Sequence, residues 1–329
     1  MIKLISKSRQ MFQLVAFFLC LFFILPVKAD QSFSNMFIFG DSMSDTGNLA
    51  SVVGDFPPVY YNNRVSNGPV VVEVLGENLG LSTDASLHLI NQNAGTNYAV
   101  ASAKSGESGP FDLDVQVNAF LMVNEFSAPE DALYVLFIGG NDVRSARDME
   151  DRHLVKAVVK KAADNIKKNI SKLIDSGAKF FVVMNSIDMG RIPEALLPGS
   201  ELKNSSLSKR TTKITRRFNH LLKRNLRDIE KEFDIEIAEF NSFKFLRRVI
   251  ARAELFGFSY TREPCFFYST LTFHPDCNFG RNSDAFLFFD EKHTSAKGNR
   301  LIGNALFEFV NEFDWEIEDK DHDHDDKED

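Results

Sequence analysis

The stretch Phe37–Asn48, FIFGDSMSDTGN, joins a short apolar run to a cluster of small polar residues. Its first three residues have the character of a buried strand, and Asp41 and Ser42 follow after a single glycine. One interpretation is ordinary turn chemistry, because Asp and Ser side chains bond their own backbone in turns. The other is a hydroxyl held at a strand end for catalysis, and motifs elsewhere in the chain must distinguish the two.

Strand-like and helix-like segments alternate along the chain. Apolar runs predict strands at 36–39, 133–139, 180–185 and 235–240, with a further short strand at 285–290. Amphipathic spacing predicts helices at 70–80, 111–126, 154–177, 206–233 and 295–310. This alternation indicates an α/β fold with a parallel sheet covered by helices on both faces.

Polar residues follow three of the predicted strands directly. Ser42, Asn141 and Asp188 each come just after an apolar run. Because ligands bind beyond the carboxyl ends of parallel strands, we expect these three residues to share one edge of the sheet.

The amino terminus has the pattern of a secretory signal peptide, residues 1–29. An uncharged apolar run, Met11–Leu25, lies between a basic start and the small residues Val27 and Ala29 of a cleavage site. We therefore expect a secreted or periplasmic bacterial protein; an uncleaved membrane anchor is the alternative. Residues 30–315 would form the folded domain, and the acidic tail 316–329 is expected to be disordered, with no metal assigned to its histidines.

The net charge of the chain argues against two kinds of binding partner, nucleic acid and anionic membranes. Cleavage after residue 29 would leave 34 of the 38 basic residues against 46 acidic ones, a net charge of −12. Such a chain has no electrostatic footprint for nucleic acid and would not bind anionic membranes by charge alone. We expect a monomer that makes at most transient contact with a membrane surface.

Two cysteines, Cys265 and Cys277, remain in the chain after residue 29. An even number in an exported protein indicates a disulfide, here closing a short loop. The alternative is a pair of buried, reduced thiols.

The catalytic candidates are a serine, an asparagine and an acid–base pair. The sequence has no P-loop, no G-x-G-x-x-G after a strand and no H-E-x-x-H, so no cofactor or metal is expected. A serine hydroxyl needs a base, and the base needs an orienting partner. Asp290 and His293 are three residues apart, so a helical turn would bring the carboxylate to the imidazole, while Asn141 could donate to an oxyanion.

These motifs, in their order, resemble the GDSL (SGNH) hydrolases. The resemblance rests on FGDSMSDTGN (39–48), GGND (139–142) and DEKH (290–293). It extends to PPVYYNNRVSNGPVVVEVL, NYAVASA, DMGRIPEA and ELFGFSYTREPCF, which are similar to secreted bacterial lipases, lysophospholipases and glycerophospholipid:cholesterol acyltransferases. It covers residues 36–311, nearly the whole chain after the signal peptide.

The resemblance implies a flavodoxin-like three-layer α/β/α sandwich with a five-stranded parallel sheet. It implies Ser42 as nucleophile, His293 as general base and Asp290 as its orienting partner. The oxyanion hole would comprise the Ser42 backbone N–H, the Asn141 side chain and a backbone N–H from Ala101 or Ser102.

The sequence departs from the family pattern at two points. Ala101-Ser102 stands where the family usually has Gly-Gly, and we take Ala101 as the donor and Ser102 as the alternative. Thr294 stands where proline is common. Asp41 is expected to bond nearby backbone and brace the turn, with no catalytic role.

The resemblance implies a secreted serine esterase acting on lipid acyl esters, as a lysophospholipase or phospholipase A, with a sterol as one acyl acceptor. The alternatives are a carbohydrate acetylesterase on the same fold and a catalytically silent binding domain. The loop between Cys265 and Cys277 is expected to gate or line an acyl-chain groove.

Overall fold

A sheet of four parallel strands forms the centre of the protein, in the order β1-β2-β3-β4. The computed structural model describes residues 32–106, 109–197 and 205–315, so the predicted signal peptide and acidic tail lie outside the described residues. The strands are β1 (Met36–Gly40), β2 (Leu133–Phe137), β3 (Phe180–Met184) and β4 (Ile237–Phe240). Every residue of β1 and β2 is buried, as expected for strands covered by helices on both faces.

Nine α-helices accompany the sheet in the described part of the chain. They are α1 (Ala50–Val53), α2 (Val71–Leu79), α3 (Leu113–Val123), α4 (Gly140–Arg147), α5 (Arg152–Asp175), α6 (Pro193–Leu196), α7 (Ser205–Phe233), α8 (Ser242–Ala251) and α9 (Ala296–Glu312). Two groups of helices flank the sheet: α2 packs on α9, and α3, α4 and α7 pack around α5 or each other. No helix among the described residues is long and apolar enough to cross a membrane.

The prediction of an α/β fold with a helix-flanked parallel sheet is confirmed, but the expected fifth strand is not formed. At the outer edge of β1, residues 96–100 pair with this strand only in part: Tyr98 N donates to Ile38 O at 2.7 Å, and Val100 N donates to Gly40 O at 3.1 Å. The Asn48 amide donates to the Asn97 and Ala99 carbonyls at 2.8 Å each. These carbonyls face away from β1, whereas Gly40 N, which a continuous parallel ladder would direct to Tyr98 O, donates instead to Gln116 Oε1 at 2.9 Å.

The fifth strand that the sequence predicted, at 285–290, is the one that is absent. Residues 286–289 are buried, but they bend at Leu287 and Phe289 and form only isolated bridges, Tyr260 to Phe286 and Phe288 to Thr294. Their backbone bonds are divided between two different neighbours: Cys265 N donates to Phe288 O at 3.1 Å, and Phe289 N donates to His293 O at 2.8 Å.

The chain from Cys265 to Cys277 forms a small antiparallel hairpin, here called the disulfide hairpin. Its strands are β5 (Phe266–Phe267) and β6 (Thr272–Phe273). The two cysteines are bonded, with Cα atoms 5.3 Å apart, and both are fully buried. The predicted pairing is thus present in the structure.

Candidate active site

The end of β1 is fixed by close backbone packing. A Cβ atom at Gly40 would lie 2.6 Å from Phe137 O of β2, so no larger residue fits there without a shift. The Gln116 side chain of α3 accepts from Gly40 N at 2.9 Å and donates to Gly40 O at 2.8 Å. These contacts set the point at which Ser42 leaves the sheet.

The three predicted catalytic residues, Ser42, His293 and Asp290, form a hydrogen-bonded chain. Ser42 Oγ lies 2.9 Å from His293 Nε2, and His293 Nδ1 lies 2.8 Å from both carboxylate oxygens of Asp290. The carboxylate acts as acceptor at Nδ1, so Nε2 is left free to accept the serine proton. This arrangement can activate a hydroxyl for nucleophilic attack.

Asp290 is buried, and its carboxylate is well supplied with donors. Oδ1 accepts the backbone N–H groups of Lys292 and His293 at 2.8 Å each, and Oδ2 accepts the Tyr60 hydroxyl at 2.9 Å. Burial opposes ionisation, but the charge and hydrogen bond of His293, the Lys292 N–H and the Tyr60 hydroxyl lower the pKa of Asp290 below its ordinary value. The carboxylate is therefore ionised at neutral pH.

The structure corrects the prediction for one of the oxyanion donors. Ala101 N donates to Asp45 Oδ2 at 2.7 Å, so this N–H is already used. Ser102, with φ of 72°, adopts the left-handed conformation that suits the glycine usual in the family. Among the described residues the Ser102 N–H has no hydrogen-bond partner, and Ser102 lines the cleft with Ser42. Ser102 replaces Ala101 as the candidate donor.

Asn141 is oriented as an oxyanion donor should be. Its Nδ2 donates to Ala103 O at 2.9 Å, which leaves the second amide hydrogen available. Asn141 lines the same cleft as Ser42 and His293. Together with the Ser42 N–H, the site offers donors from three different segments of the chain.

Asp45, which sequence analysis did not select, joins two of those segments. It is 1% exposed, and its carboxylate accepts backbone N–H bonds from Gly47, Asn48, Leu49 and Ala101. Burial raises the pKa of Asp45, and the backbone donors act in the opposite direction. The only sequence signal for this role is the position of Asp45 inside the FGDSMSDTGN motif.

Asp41 and Asp188 have the structural environments of bracing residues. Asp41 Oδ1 accepts from Met43 N at 3.1 Å, as expected for a residue that braces the turn. Asp188 is fully buried, where it pairs with Arg247 at 2.7 Å and accepts from Thr212 at 2.7 Å. Asp188 lies after β3 as predicted, but its neighbours in sequence, rather than Asp188 itself, line the cleft.

The cleft has two adjoining parts that meet at Ser42 and His293. The inner part has a volume of about 40 Å³ and the outer part a volume of about 230 Å³. Apolar and aromatic side chains line much of the outer part: Leu49, Phe56, Pro57, Tyr60, Val65 and Tyr268. The disulfide hairpin therefore contributes one wall of the cleft through Tyr268.

Two basic residues, Arg144 and Lys292, line both parts of the cleft. Arg144 forms an ion pair with Glu194 at 2.6 Å. Burial by itself would raise the pKa of Glu194, but Arg144 and Arg147 lower this pKa to about 2. Lys292 lies over the Tyr268 ring, 6.0 Å from its centroid. The charge of Arg144 is thus compensated within the protein.

The chain is similar to several characterised proteins. It is 27% identical over 303 residues to a phosphatidylcholine-sterol acyltransferase from Aeromonas hydrophila, covering 88% of this chain and 84% of that protein. It is 25% identical to acetylajmalan esterase 2 from Rauvolfia serpentina, covering 83% and 89%. Among solved structures, it resembles a catalytic mutant of the acetylxylan esterase Axe2 from Geobacillus stearothermophilus, with 11% identity, a TM-score of 0.46 and coverage of 86% and 96%.

A family model described as GDSL-like lipase/acylhydrolase matches residues 36–306. The match runs from β1, which delivers Ser42, to α9, which follows His293. It therefore includes the nucleophile, the oxyanion segments and the acid–base pair in their observed order. This chain belongs to the GDSL-like lipase/acylhydrolase family.

Proposed function

We propose that the protein is an exported serine esterase that hydrolyses long-chain acyl esters of lipids, with lysophospholipids as the first substrate class. The observation that carries the proposal is the continuous chain from Ser42 through His293 to Asp290. The apolar lining of the outer cleft and the similarity to a phosphatidylcholine-sterol acyltransferase support a lipid substrate.

The reaction follows from the geometry. His293 Nε2 takes the Ser42 proton as Oγ attacks the ester carbonyl, and the negative oxygen is held by the Ser42 N–H, the Ser102 N–H and the Asn141 amide. His293 then returns the proton to the leaving alcohol, which leaves an acyl group on Ser42. Water attacks that acyl group with His293 again as base, and an alcohol such as a sterol in place of water would give acyl transfer.

A short-chain acetylesterase is the second candidate. The inner cleft, at about 40 Å³, has room for only a few non-hydrogen atoms, since one water needs roughly 10–15 Å³ of such volume. An acyl group directed there would be acetyl-sized, whereas one directed into the outer cleft could be long. The similarity to acetylajmalan esterase 2 agrees with this candidate.

The activity itself is tested with p-nitrophenyl butyrate. We expect turnover by the native protein and a loss of at least about 10³-fold in Ser42→Ala, because Ser42 Oγ is the nucleophile that contacts His293 Nε2 in the described part of the chain. Ser127→Ala, at an exposed serine after α3, is the matched control and should retain full activity. Equal activity in Ser42→Ala and Ser127→Ala would contradict the mechanism.

The substrate class is tested by comparing palmitoyl-lysophosphatidylcholine with acetylated xylo-oligosaccharide. The products to be quantified are fatty acid and acetate, and also cholesteryl ester in reactions to which cholesterol is added. We expect fatty acid release to exceed acetate release. An excess of acetate would favour the acetylesterase, and no turnover of any ester would favour a binding domain.

A further inference from the structure

The acid of the catalytic pair is held partly by a residue far away in sequence. Oδ2 of Asp290 accepts the hydroxyl of Tyr60, at 2.9 Å and a separation of 230 residues. The other donors that the described residues supply to this carboxylate, apart from the His293 ring, are the backbone N–H groups of Lys292 and His293 in its own loop. Burial and the Asp290 charge raise the pKa of Tyr60 well above its ordinary value of 10, so the hydroxyl keeps its proton and acts as a donor.

The Tyr60 ring is fixed by aromatic neighbours. It meets Phe289 edge-on with centroids 5.6 Å apart, and Phe266 of the disulfide hairpin edge-on at 6.2 Å. Tyr60, Phe266 and Phe289 share one buried cluster with Cys265 and Cys277. A ring confined on these sides can hold its hydroxyl at one position relative to Asp290.

A second contact joins the hairpin to the loop of the acid–base pair. The Glu291 carboxylate accepts from Tyr268 N at 3.0 Å, from Ser269 N at 3.1 Å and from Ser269 Oγ at 2.8 Å. Glu291 directly follows Asp290, so the turn of the hairpin is attached next to the catalytic acid. The hairpin thus reaches Asp290 through Tyr60 and through Glu291.

We propose that Tyr60 is a positioning residue of the catalytic pair, whose hydroxyl fixes the Asp290 carboxylate against His293 with the disulfide hairpin as its support. The proposal rests on the proposed ester hydrolysis. The Tyr60 hydroxyl draws charge from Oδ2 and keeps both carboxylate oxygens in the plane that the His293 ring requires.

Removing the hydroxyl should alter both the rate and its dependence on pH. Without this donor, the Asp290 carboxylate presents more of its negative charge to the His293 ring, which stabilises the protonated imidazole. On acidification, the neutral imidazole that acts as base is therefore lost at a higher pH. Among the described residues, the other charged or titratable groups around the pair are Asp41, Arg144, Tyr268, Glu291 and Lys292. The Tyr60→Phe change leaves all of these groups in place.

The test compares Tyr60→Phe with Tyr61→Phe, using p-nitrophenyl butyrate from pH 5 to 9. Tyr61 is the neighbouring tyrosine, 42% exposed, and its side chain has no hydrogen bond among the described residues. We expect Tyr60→Phe to lower kcat about 10-fold with little change in KM, and to move the acid limb of the profile up by about half a pH unit. Tyr61→Phe should match the native protein.

A double-mutant cycle with Asp290→Asn separates positioning from simple packing. If Tyr60 acts through Asp290, Tyr60→Phe should cost less than about 3-fold in the Asp290→Asn background. A full 10-fold loss in both backgrounds, or an unshifted pH profile in Tyr60→Phe, would overturn the proposal. Absence of turnover in the native protein would instead overturn the proposed function.

Discussion

Asp41, next to the nucleophile, should make the protein less stable as the pH rises. It is 6% exposed, and within the described ranges Met43 N is the one group that donates a hydrogen bond to its carboxylate. Burial raises the pKa of Asp41 from 3.8 to about 7, with a contribution from Asp142, against the opposing effects of the Met43 N–H, His293 and Arg144.

The sign and size of this pH effect on stability follow from the difference between the Asp41 pKa values in the folded and unfolded states. A carboxyl whose pKa is higher in the folded than in the unfolded state favours folding below about pH 4 and loses that contribution as the pH rises through about 7. A rise of about three units corresponds to about 4 kcal/mol of unfolding free energy, of which about 2.5 kcal/mol is lost between pH 5 and pH 8. Asp41→Asn removes the titration and keeps an oxygen that can accept from Met43 N.

Urea unfolding at pH 5 and pH 8 measures this difference. The stabilisation of Asp41→Asn over the native protein should be about 2.5 kcal/mol larger at pH 8 than at pH 5. Asp175→Asn, at an exposed carboxyl ending α5, should show no such change. The reasoning about burial of Asp41 would be refuted if native protein and Asp41→Asn differed by the same free energy at both pH values.

Three further changes test other parts of the site. Asn141→Ala should lower kcat by about 10²–10³-fold with little change in KM, because the lost donor acts on the transition state; a change confined to KM would mark a substrate-binding residue instead. Asp45→Asn should lower the unfolding free energy by about 2–3 kcal/mol in urea titrations, because an NH₂ group would face backbone donors; unchanged stability would contradict the role given to this carboxylate. Replacing Cys265 and Cys277 together with serine should lower the unfolding free energy by about 3 kcal/mol, and a loss below about 1 kcal/mol would show that the hairpin keeps its fold without the bond.

Local sequence patterns predicted the strands and the acid–base pair well. Continuous apolar runs such as Phe180–Met184 identify strands covered on both faces, because burial of both faces removes the polar alternation. Asp290 and His293 are three residues apart, so their contact depends on one local turn. Features determined within a few residues can be predicted from a single sequence.

The errors and omissions involve contacts between distant segments. The sheet stops at β1 because Gln116, 76 positions further along the chain, accepts the Gly40 N–H that a neighbouring strand would need. The Ala101 assignment failed because Asp45 takes that N–H, 56 positions away. Neither contact leaves a periodic signal in the sequence, since each depends on how distant segments meet at the end of β1.

The disulfide hairpin has to be tested by side-chain replacement and not by deletion. As a wall of the cleft, it would influence chain-length preference through Tyr268. As the support of Tyr60 and the partner of Glu291, it would also influence the rate for every ester. Deleting residues 266–276 would change both properties together and could not assign either one to the cleft wall.

Tyr268→Ala tests the cleft wall more directly than deletion does, because it keeps the N–H that donates to Glu291 and the contact of Phe266 with Tyr60. It removes one further contact of Tyr60, since the Tyr268 and Tyr60 ring centroids lie 6.5 Å apart. If the hairpin lines an acyl groove, this change should shift the ratio of kcat/KM values for long and short esters by several-fold and leave the shape of the pH profile intact, since each CH₂ of contact is worth about 0.8 kcal/mol. An unchanged ratio, together with a moved pH profile, would restrict the hairpin to support of the catalytic pair.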